Sequence, residues 1–253
     1  MSSLPAMSNS PRFIFFTDFD GTITLRDSND FLTDNFGFGR ERRVQGNQNV
    51  LHGKMSFRES FQEMLDSVTK PFNQCIEALL ENIKLDPHFL DFYEYCASEN
   101  IPIVVLSGGM EPVIRALLEH LIGGKAHNIQ IVSNQVKPRN GKDINEEGGW
   151  NIQYHDDSHY GHDKSLEIKP YAKLPSDIRP TLFYAGDGVS DISAAQETDL
   201  LFAKKDYDLD KYCSKHGLPA VTFRDWSTIL STVKSLSTGE TTLEKIVADL
   251  QAN

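Results

Sequence analysis

Residues 13–20 place a run of large apolar side chains directly before two aspartates that are separated by a single phenylalanine. The first four residues of the run, FIFF, show no polar alternation, and such a run is typical of a strand buried on both faces of a parallel sheet. Two carboxylates at the end of a buried strand repel each other and are costly to bury without a counter-ion. The chain must therefore cover this strand on both sides and provide a cation at its end.

Four more apolar runs follow along the chain. They are residues 101–106, 181–185, 200–203 and 220–223. The first of these ends in Ser-Gly-Gly and the second in Gly-Asp-Gly, while residues 86–100 and 111–121 carry apolar side chains at helical spacing. Strands and helices that alternate in this way predict an α/β fold with a doubly wound parallel sheet, in which ligands bind at the carboxyl ends of the strands.

Two segments interrupt the alternation. Residues 27–85 hold several helical patterns and no convincing strand, and we interpret them as a helical cap domain inserted after the first strand. Residues 129–155 contain an Asn-Gly and a Gly-Gly pair between short strand-like stretches, which is typical of a β-hairpin flap within the core. The core domain then comprises residues 12–26 and 86–253, and we expect residues 1–11 to form a flexible tail.

Charge and cysteine usage exclude several classes of function. The formal net charge of -11 disfavours a nucleic-acid or anionic-membrane partner, since both require a basic surface, but a few local cations still permit a small anionic substrate. The three cysteines form no CxxC pair, no apolar run approaches the ~20 residues that span a bilayer, and the first residues lack the features of a secretion signal. We expect an intracellular protein, cytoplasmic or also nuclear; the oligomeric state is open.

Three of the predicted strands end at polar residues that suit one ligand site. Asp18 and Asp20 follow the first strand, Ser107 the second and Asp187 the third. A divalent hard cation would balance the paired carboxylates, Mg²⁺ is the abundant intracellular candidate, and Asp191 could orient a metal-bound water. Each feature alone has a plainer interpretation, since Asp-Gly is a common turn and serine or aspartate often caps a helix. Their shared position at strand ends favours a site.

Four motifs occur in a fixed order: DFDGT at 18–22, VVLSGG at 104–109, GHDKS at 161–165 and AGDGVSD at 185–191. With them the chain, from residue 12 onward, resembles the haloacid dehalogenase (HAD) superfamily of aspartate-nucleophile phosphatases. The insertion after the first motif resembles the helical C1-type cap of the phosphoserine-phosphatase branch. Residues 27–37 and 199–204, with the flap, are similar to fungal phosphatases of small metabolites such as polyol and sugar phosphates. The resemblance implies a HAD Rossmannoid core.

The resemblance also implies roles for the two aspartates of the first motif and for the metal. Asp18 would attack phosphorus and form an aspartyl-phosphate intermediate, and Asp20 would act as general acid and then as general base. Mg²⁺ would be held by the Asp18 side chain, the Asp20 backbone carbonyl and Asp187, with Asp191 binding through a water.

The phosphoryl oxygens would be held by Ser107, the Gly108 N–H and Lys164, with Thr22 helping to position them. Without the other motifs, Lys164 would be interpreted as a solvated surface lysine. Lys169, five residues after Lys164, is a second candidate for the phosphate-binding lysine.

Other residues are candidates for substrate contact or for a second metal. Substrate contacts from the cap would come from Asn29, His52, Lys54 and Arg58. His155, His159 and His162 raise the possibility of zinc, but their spacing is irregular and no cysteine lies near, so a substrate contact by one of them is the alternative.

The sequence therefore predicts a Mg²⁺-dependent phosphomonoesterase acting on a small phosphorylated metabolite, with a polyol or sugar phosphate favoured. Phosphoserine and pyridoxal phosphate are alternative substrates, and a phosphomutase or a non-enzymatic metal-binding module are alternative classes. A carbon–halogen dehalogenase is disfavoured because halide leaves without a proton and would make Asp20 redundant.

Overall fold

A seven-stranded sheet forms the centre of the protein in the computed structural model, which describes residues 4–252 apart from the side chains of Leu51, Lys125 and His127. The strands are β1 (Phe13–Thr17), β2 (Ile103–Met110), β3 (Gln130–Pro138), β4 (Trp150–Gln153), β5 (Thr181–Gly186), β6 (Leu200–Lys204) and β7 (Val221–Phe223). Their spatial order is β4-β3-β2-β1-β5-β6-β7, and the described pairs are parallel except for β3 with β4. This confirms the predicted α/β class with a mostly parallel sheet.

Helices follow the strands and cover both faces of the sheet. They are α1 (Ser28–Phe36), α2 (Arg40–Leu51), α3 (Phe57–Asp66), α4 (Phe72–Asn82), α5 (Phe89–Ser98), α6 (Glu111–Ile122), α7 (Lys164–Ala172), α8 (Ile192–Ala195), α9 (Asp208–His216), α10 (Trp226–Thr238) and α11 (Leu243–Ala252). The predicted helices over residues 86–100 and 111–121 correspond to α5 and α6. Within residues 4–252, none of the helices has the length and apolar character required to cross a membrane.

The central strand β1 is buried along its whole length, as its apolar run predicts. Phe13 and Phe15 pack into the hydrophobic cluster on one face of the sheet, and Ile14 and Phe16 pack into the cluster on the other face. Phe15 contacts the ring of Phe92 in α5 at 4.7 Å between centroids. Because each fully buried side chain of this size contributes about 1.5–3 kcal/mol, these four residues anchor both layers of helices to the sheet.

Strand β3 is more central than the sequence predicts. The expected hairpin exists, since the second half of β3 pairs antiparallel with β4. The first half of β3, however, pairs parallel with β2 and extends the central sheet. The polar residues Gln130, Ser133 and Asn134 interrupt the apolar pattern of β3. For this reason the sequence of residues 129–155 predicts a hairpin but does not reveal a strand of the central sheet.

Helices α1 to α4 lie within residues 27–85, the segment predicted as a helical cap, and several of their residues line one cavity with Asp18, Ser107 and Asp187. Ser56 and Glu59 close a capping box that begins α3, and Phe61, Met64 and Leu65 form the buried face of this helix. The hairpin contacts the cap, since Trp150 Nε1 donates to the Lys70 carbonyl at 2.8 Å. The cap is therefore connected to the core by the β3–β4 hairpin as well as by its own chain ends.

The N-terminal segment packs against the core where it is described. Residues 1–3 of the predicted flexible tail lie outside the described residues. Pro5–Met7 forms a short 3-10 helix in which Ala6 is buried, and the Ala6 N–H donates to the Tyr171 hydroxyl at 3.4 Å. Ala6 belongs to the hydrophobic cluster on the α7 side of the sheet, and Leu4 and Met7 pack against the same cluster.

Candidate active site

The carboxyl ends of β1, β2 and β5 meet at one edge of the sheet and open into a cavity of about 620 Å³. The backbone pairing of β1 with β5 continues one residue beyond the strand, because the Asp18 N–H donates to the Ala185 carbonyl at 2.8 Å. Asp18, Asp20, Ser107 and Asp187 all line this cavity, as their positions at strand ends predict.

A buried lysine joins two of the carboxylates. Lys164, which begins α7, is only 1% exposed, and its Nζ donates to Asp18 Oδ1 at 2.7 Å and to Asp191 Oδ1 at 2.6 Å. Burial alone would lower the pKa of Lys164, but the two carboxylates outweigh it and raise that pKa above its ordinary value. Lys164 is therefore a fixed positive charge beside Asp18.

Both oxygens of the buried Asp191 carboxylate have donors. Besides Lys164, Oδ1 accepts from the Tyr184 hydroxyl, and Oδ2 accepts from the N–H groups of Asp187 and Gly188 at 3.0 and 2.9 Å. These bonds hold the turn after β5 against the start of α7. Asp191 thus fixes both Lys164 and the backbone of Asp187.

Asp187 lies against the first motif, and glycine at position 21 makes this approach possible. Gly21 has a φ of +79°, and a Cβ there would lie 2.5 Å from Asp187 Oδ2, so a larger residue would collide with the carboxylate. Thr22 Oγ1 donates to Asp187 Oδ1 at 3.3 Å. The sequence DFDGT therefore brings the carboxylates of Asp18 and Asp187 together.

The arrangement fits a hard divalent cation. One carboxylate oxygen from each of Asp18, Asp187 and Asp191 lies within 4.8 Å of the other two. Burial raises the pKa of Asp18 to about 6, and burial together with Asp18 and Asp191 raises the pKa of Asp187 well above its ordinary value. Lys164 balances only part of this negative charge, and oxygen donors are the ligands that Mg²⁺ prefers.

Asp20 has different surroundings from Asp18. Its Oδ1 accepts from the Ser28 N–H at 2.7 Å, and its Oδ2 accepts from Asn29 Nδ2 at 3.0 Å, both at the start of α1. Burial and the charge of Asp27 raise the pKa of Asp20 well above its ordinary value. Asp20 is therefore a carboxyl group that holds a proton more readily than a solvated aspartate.

Residues 107–109 of β2, where the pairing with β3 shifts register, are held by hydrogen bonds to their carbonyl groups. Asn134 Nδ2 donates to the Gly108 carbonyl at 2.7 Å, and His162 Nδ1 lies 2.9 Å from the Ser107 carbonyl. Ser107 Oγ accepts from the Gly109 N–H at 3.0 Å. Asn134 and His162 thus position the end of β2 that carries the predicted phosphate-binding serine.

The cap supplies the opposite wall of the cavity. Its apolar part comprises Val50, Met55, Phe57, Phe61 and Met64. Polar lining groups include Asn29, Asp30, Asn47 and Tyr160. No lysine or arginine is among the described residues that line the cavity, and His159 is the basic side chain among them.

The structure separates the residues predicted to contact substrate. Asn29 lines the cavity, whereas His52 and Lys54 are exposed on the cap and do not line it. Arg58 also lies outside the lining, because its Nη1 donates to the carbonyls of Asp156 and Ser158 at 3.0 and 3.3 Å.

The remaining candidates also separate. Lys169 donates to Ser165 Oγ at 3.0 Å, so Lys164 is the lysine that reaches Asp18. His159 lines the cavity beside Tyr160, whereas His155 and His162 cluster elsewhere with Glu167.

The structure adds residues that the sequence reasoning missed. Asn134 sits in β3 at the same edge of the sheet, and the rule that located Ser107 would have found it had β3 been recognised as a core strand. Tyr184 lies inside an apolar strand, which hides its hydroxyl contact with Asp191. Lys204 is the last residue of β6, and its Nζ donates to the Gly21 carbonyl at 2.6 Å. A search for polar residues at the ends of the predicted strands could have found it.

Comparison with known proteins places the chain among hydrolases. Residues 15–196 match the haloacid dehalogenase-like hydrolase family. Pdp3-interacting factor 1 of Schizosaccharomyces pombe is 51% identical over 231 residues, which cover 91% of this chain and 98% of that protein. Polyol phosphate phosphatase PYP1 of Saccharomyces cerevisiae is 45% identical over 247 residues, 95% of this chain and 98% of that protein.

Solved structures show the same fold at low sequence identity. A phospho-aspartyl intermediate analogue of phosphoserine phosphatase has a TM-score of 0.63 at 18% identity, covering 88% of this chain and 98% of that chain. A substrate-bound phosphoserine phosphatase complex has a TM-score of 0.60 at 15% identity, with the same coverage. The expected phosphoserine-phosphatase-like fold is confirmed.

Proposed function

The chain belongs to the haloacid dehalogenase-like hydrolase family and is a phosphatase, and we propose that it hydrolyses the phosphate monoester of a small polyol, with a sugar phosphate as the next candidate. The relative named polyol phosphate phosphatase PYP1, aligned over nearly the full length of both chains, supports this choice. The main structural support for a polyol phosphate is the set of side chains that line the cavity.

The charge of the cavity favours a neutral, hydroxylated body on the substrate. Phosphoserine carries an ammonium group, which an acidic side chain can accept, and a carboxylate, which needs a cationic partner when it leaves water. No lysine or arginine is among the described lining residues, and Asp27 and Asp30 line the cap side. Asn29 and Asn47 offer hydrogen bonds to hydroxyl groups. These features support a polyol phosphate over phosphoserine.

Asp18 is the proposed nucleophile. With a pKa of about 6 it is mostly ionised at neutral pH, and Lys164 holds one of its oxygens. In the proposed first step a carboxylate oxygen of Asp18 forms a bond to phosphorus while the bond from phosphorus to the polyol oxygen breaks. The product is an aspartyl phosphate, which water hydrolyses in the second step.

Asp20 is the proposed acid and base. Its pKa is raised by burial and by Asp27, so it can give a proton to the departing polyol oxygen. The resulting carboxylate then accepts a proton from the attacking water. The Ser28 N–H and Asn29 hold the carboxyl in place through both steps.

Ser107, the Gly108 N–H, Thr22 and Lys164 are the proposed ligands of the phosphoryl oxygens. We propose that Mg²⁺ is held by Asp18, the Asp20 backbone carbonyl and Asp187, with Asp191 acting through a water. When bound, this ion would reduce the repulsion between the carboxylate and the phosphate and stabilise charge on the phosphoryl group.

Domain organisation and compartment complete the proposal. We assign residues 27–85 to a cap domain that closes over the substrate and excludes water, and the other described residues from 12 onward to the core. The cytoplasm is the proposed compartment, which the three free, buried cysteines support because thiols stay reduced there.

The test compares glycerol 1-phosphate with phosphoserine, two phosphomonoesters of three-carbon compounds that differ in the carboxylate and ammonium groups. Purified enzyme with Mg²⁺ should release inorganic phosphate from the polyol phosphate with a kcat/KM at least about tenfold higher, equivalent to about 1.4 kcal/mol. Equal or better hydrolysis of phosphoserine would contradict the substrate class. Formation of a positional isomer without free phosphate would instead indicate a phosphomutase.

A further inference from the structure

A second group of metal-ligand side chains lies outside the proposed hydrolytic site. His155 follows β4, His162 precedes α7, and Glu167 lies within α7. One ligand atom from each residue lies within 4.8 Å of the other two, and the two imidazole rings are 4.7 Å apart between centroids. None of the three is a proposed ligand of the phosphoryl group or a proposed acid or base in the hydrolysis.

His162 has a nitrogen that lacks a partner. Its side chain is buried, with 2% of the residue exposed, and its Nδ1 lies 2.9 Å from the Ser107 carbonyl. Because a carbonyl oxygen only accepts, Nδ1 carries the proton and Nε2 carries the lone pair. Nε2 is buried without a hydrogen-bond partner among the described residues, a condition that costs roughly 1–3 kcal/mol unless a ligand satisfies it.

This arrangement matches that of a metal-binding histidine. Such a histidine usually donates its other ring N–H to a backbone carbonyl or carboxylate, which fixes the tautomer and the ring orientation. Burial lowers the pKa of His162 to about 4, so its imidazole is unprotonated at neutral pH. The lone pair on Nε2 is therefore available.

The two other residues provide donors that solvent can reach. His155 Nε2 lies 2.9 Å from Glu167 Oε1, and both side chains are 34% exposed. The hydrogen bond between them already brings a nitrogen and a carboxylate oxygen to one point. An ion arriving from solvent would exchange the proton that they share.

We propose that His155, His162 and Glu167 bind a transition-metal ion of the Zn²⁺ class. Two imidazole nitrogens and one carboxylate oxygen form a donor set that zinc accepts with a fourth position left for water, whereas Mg²⁺ prefers oxygen ligands alone. Bonds of about 2.0–2.2 Å hold the ligand atoms of a tetrahedral site roughly 3.4 Å apart. Since the ligand atoms of the cluster lie within 4.8 Å of one another, the more distant ones need to approach by up to about 1.4 Å.

The ion would connect the hydrolytic site to the loop between β4 and α7. It would tie the segment that follows β4 to α7, and α7 begins with Lys164. Through His162 it would also fix the carbonyl of Ser107. Binding would therefore rigidify the side of the cavity that carries the proposed phosphate ligands.

The test measures zinc affinity of the full-length protein by competition with a chromophoric chelator, in excess Mg²⁺ so that Mg²⁺ occupies the aspartate cluster. Wild type should bind one equivalent of Zn²⁺. His155→Ala and Glu167→Gln should each bind at least about tenfold more weakly, since even the hydrogen-bond partners of a metal ligand are worth about 10–100-fold. His159→Ala, which alters a neighbouring histidine outside the cluster, should bind like wild type.

Cobalt supplies a readout that is independent of the competition assay. Co²⁺ added to wild type should give the visible absorption of a four-coordinate site, and His155→Ala should lack it. Unchanged zinc affinity in His155→Ala and Glu167→Gln would overturn the proposal, as would failure of wild type to bind Zn²⁺ under excess Mg²⁺. Since these readouts involve no phosphate ester, they leave the proposed hydrolysis untouched.

Discussion

Asp18 and Asp20 are two residues apart, and their different surroundings support the different roles proposed for them. Asp18 contacts the ammonium group of Lys164, which favours its ionised form against the effect of burial. Asp20 contacts an N–H and an amide at the start of α1 and faces the charge of Asp27, and its pKa lies well above the ordinary value. A carboxylate paired with a lysine and a carboxyl group that holds its proton readily are suited to act as nucleophile and acid.

Asp20→Asn should reduce kcat/KM for an alkyl phosphate by about 10²–10⁴-fold, the usual contribution of a general acid. The loss for p-nitrophenyl phosphate should be much smaller, because nitrophenolate leaves without a proton. Steady-state kinetics on glycerol 1-phosphate and p-nitrophenyl phosphate measures the difference. Equal losses on both substrates would remove Asp20 from the role of acid.

Asp187→Asn should stabilise the metal-free protein at neutral pH. Asp187 has a raised pKa in the folded state, so its contribution to stability is fully present below the unfolded pKa and is lost as pH rises through the folded pKa. In a chelator, the variant should melt about 2–4 °C above wild type at pH 7.5, which corresponds to about 1 kcal/mol, and the difference should shrink at pH 5. A variant that is less stable than wild type at pH 7.5 would contradict this electrostatic account.

At the scale of elements, the β3–β4 hairpin connects the cap to the core. The Gly148 N–H donates to the Thr69 carbonyl at 2.6 Å, and the ring of Phe72 in α4 packs edge-on against Trp150 at 5.4 Å. Tyr154, just after β4, donates its hydroxyl to the Arg58 carbonyl at 3.0 Å. Movement of the cap therefore has to bend the hairpin or break these contacts.

Trp150→Phe should lower the free energy of unfolding by about 1 kcal/mol, because it removes the hydrogen bond to the Lys70 carbonyl and leaves most of the packing. Trp150→Ala should cost about 3–5 kcal/mol through loss of the buried ring. Urea unfolding measures both, and Gln153→Ala, at an exposed position of the same strand, serves as the control. If Gln153→Ala lowered the free energy of unfolding as much as Trp150→Ala, the Trp150 indole would not be a specific contact between the hairpin and the cap.

Much of the sheet could be predicted because its inner strands are continuous apolar runs, as β1 and β5 illustrate. The site followed from the same pattern, since polar residues at strand ends converge in a parallel sheet. Strand β3 was not predicted as part of the central sheet because Ser133 and Asn134 interrupt its apolar pattern. The cap residues that line the cavity were not predicted for another reason. Phe57 and Phe61 have the helical spacing of core residues, and periodicity does not distinguish a side chain in the core from one that lines a cavity. Arg58 was expected near substrate, but charge alone does not reveal that backbone carbonyls bind it.

At the scale of the whole molecule, a protein with a net charge of -11 has to bind an anionic substrate. The acidic groups at the site, Asp18, Asp187 and Asp191, increase this difficulty near the phosphate, and Lys164 offsets only one charge. A bound divalent cation reverses the local sign. The charge of the site therefore supports the proposed metal dependence independently of family membership.

Removal of divalent metal should abolish phosphate release, and Mg²⁺ should restore it. The Mg²⁺ concentration required for half activity should rise as pH falls below about 6, because protons then compete with the ion for Asp18. Activity titrations with Mg²⁺ at pH 7.5 and pH 5.5 measure this shift. Full activity in the presence of chelator would contradict the proposed metal site.

The most direct test of the account asks whether Asp18 becomes phosphorylated. In Asp20→Asn, p-nitrophenyl phosphate still phosphorylates the enzyme, but water lacks its base, so the intermediate should accumulate. We predict a burst of about one equivalent of nitrophenolate per chain, followed by slow turnover, and an added phosphoryl group on the peptide that contains Asp18 after acid quench. Steady slow turnover with no burst and no phosphorylated peptide would contradict covalent catalysis by Asp18.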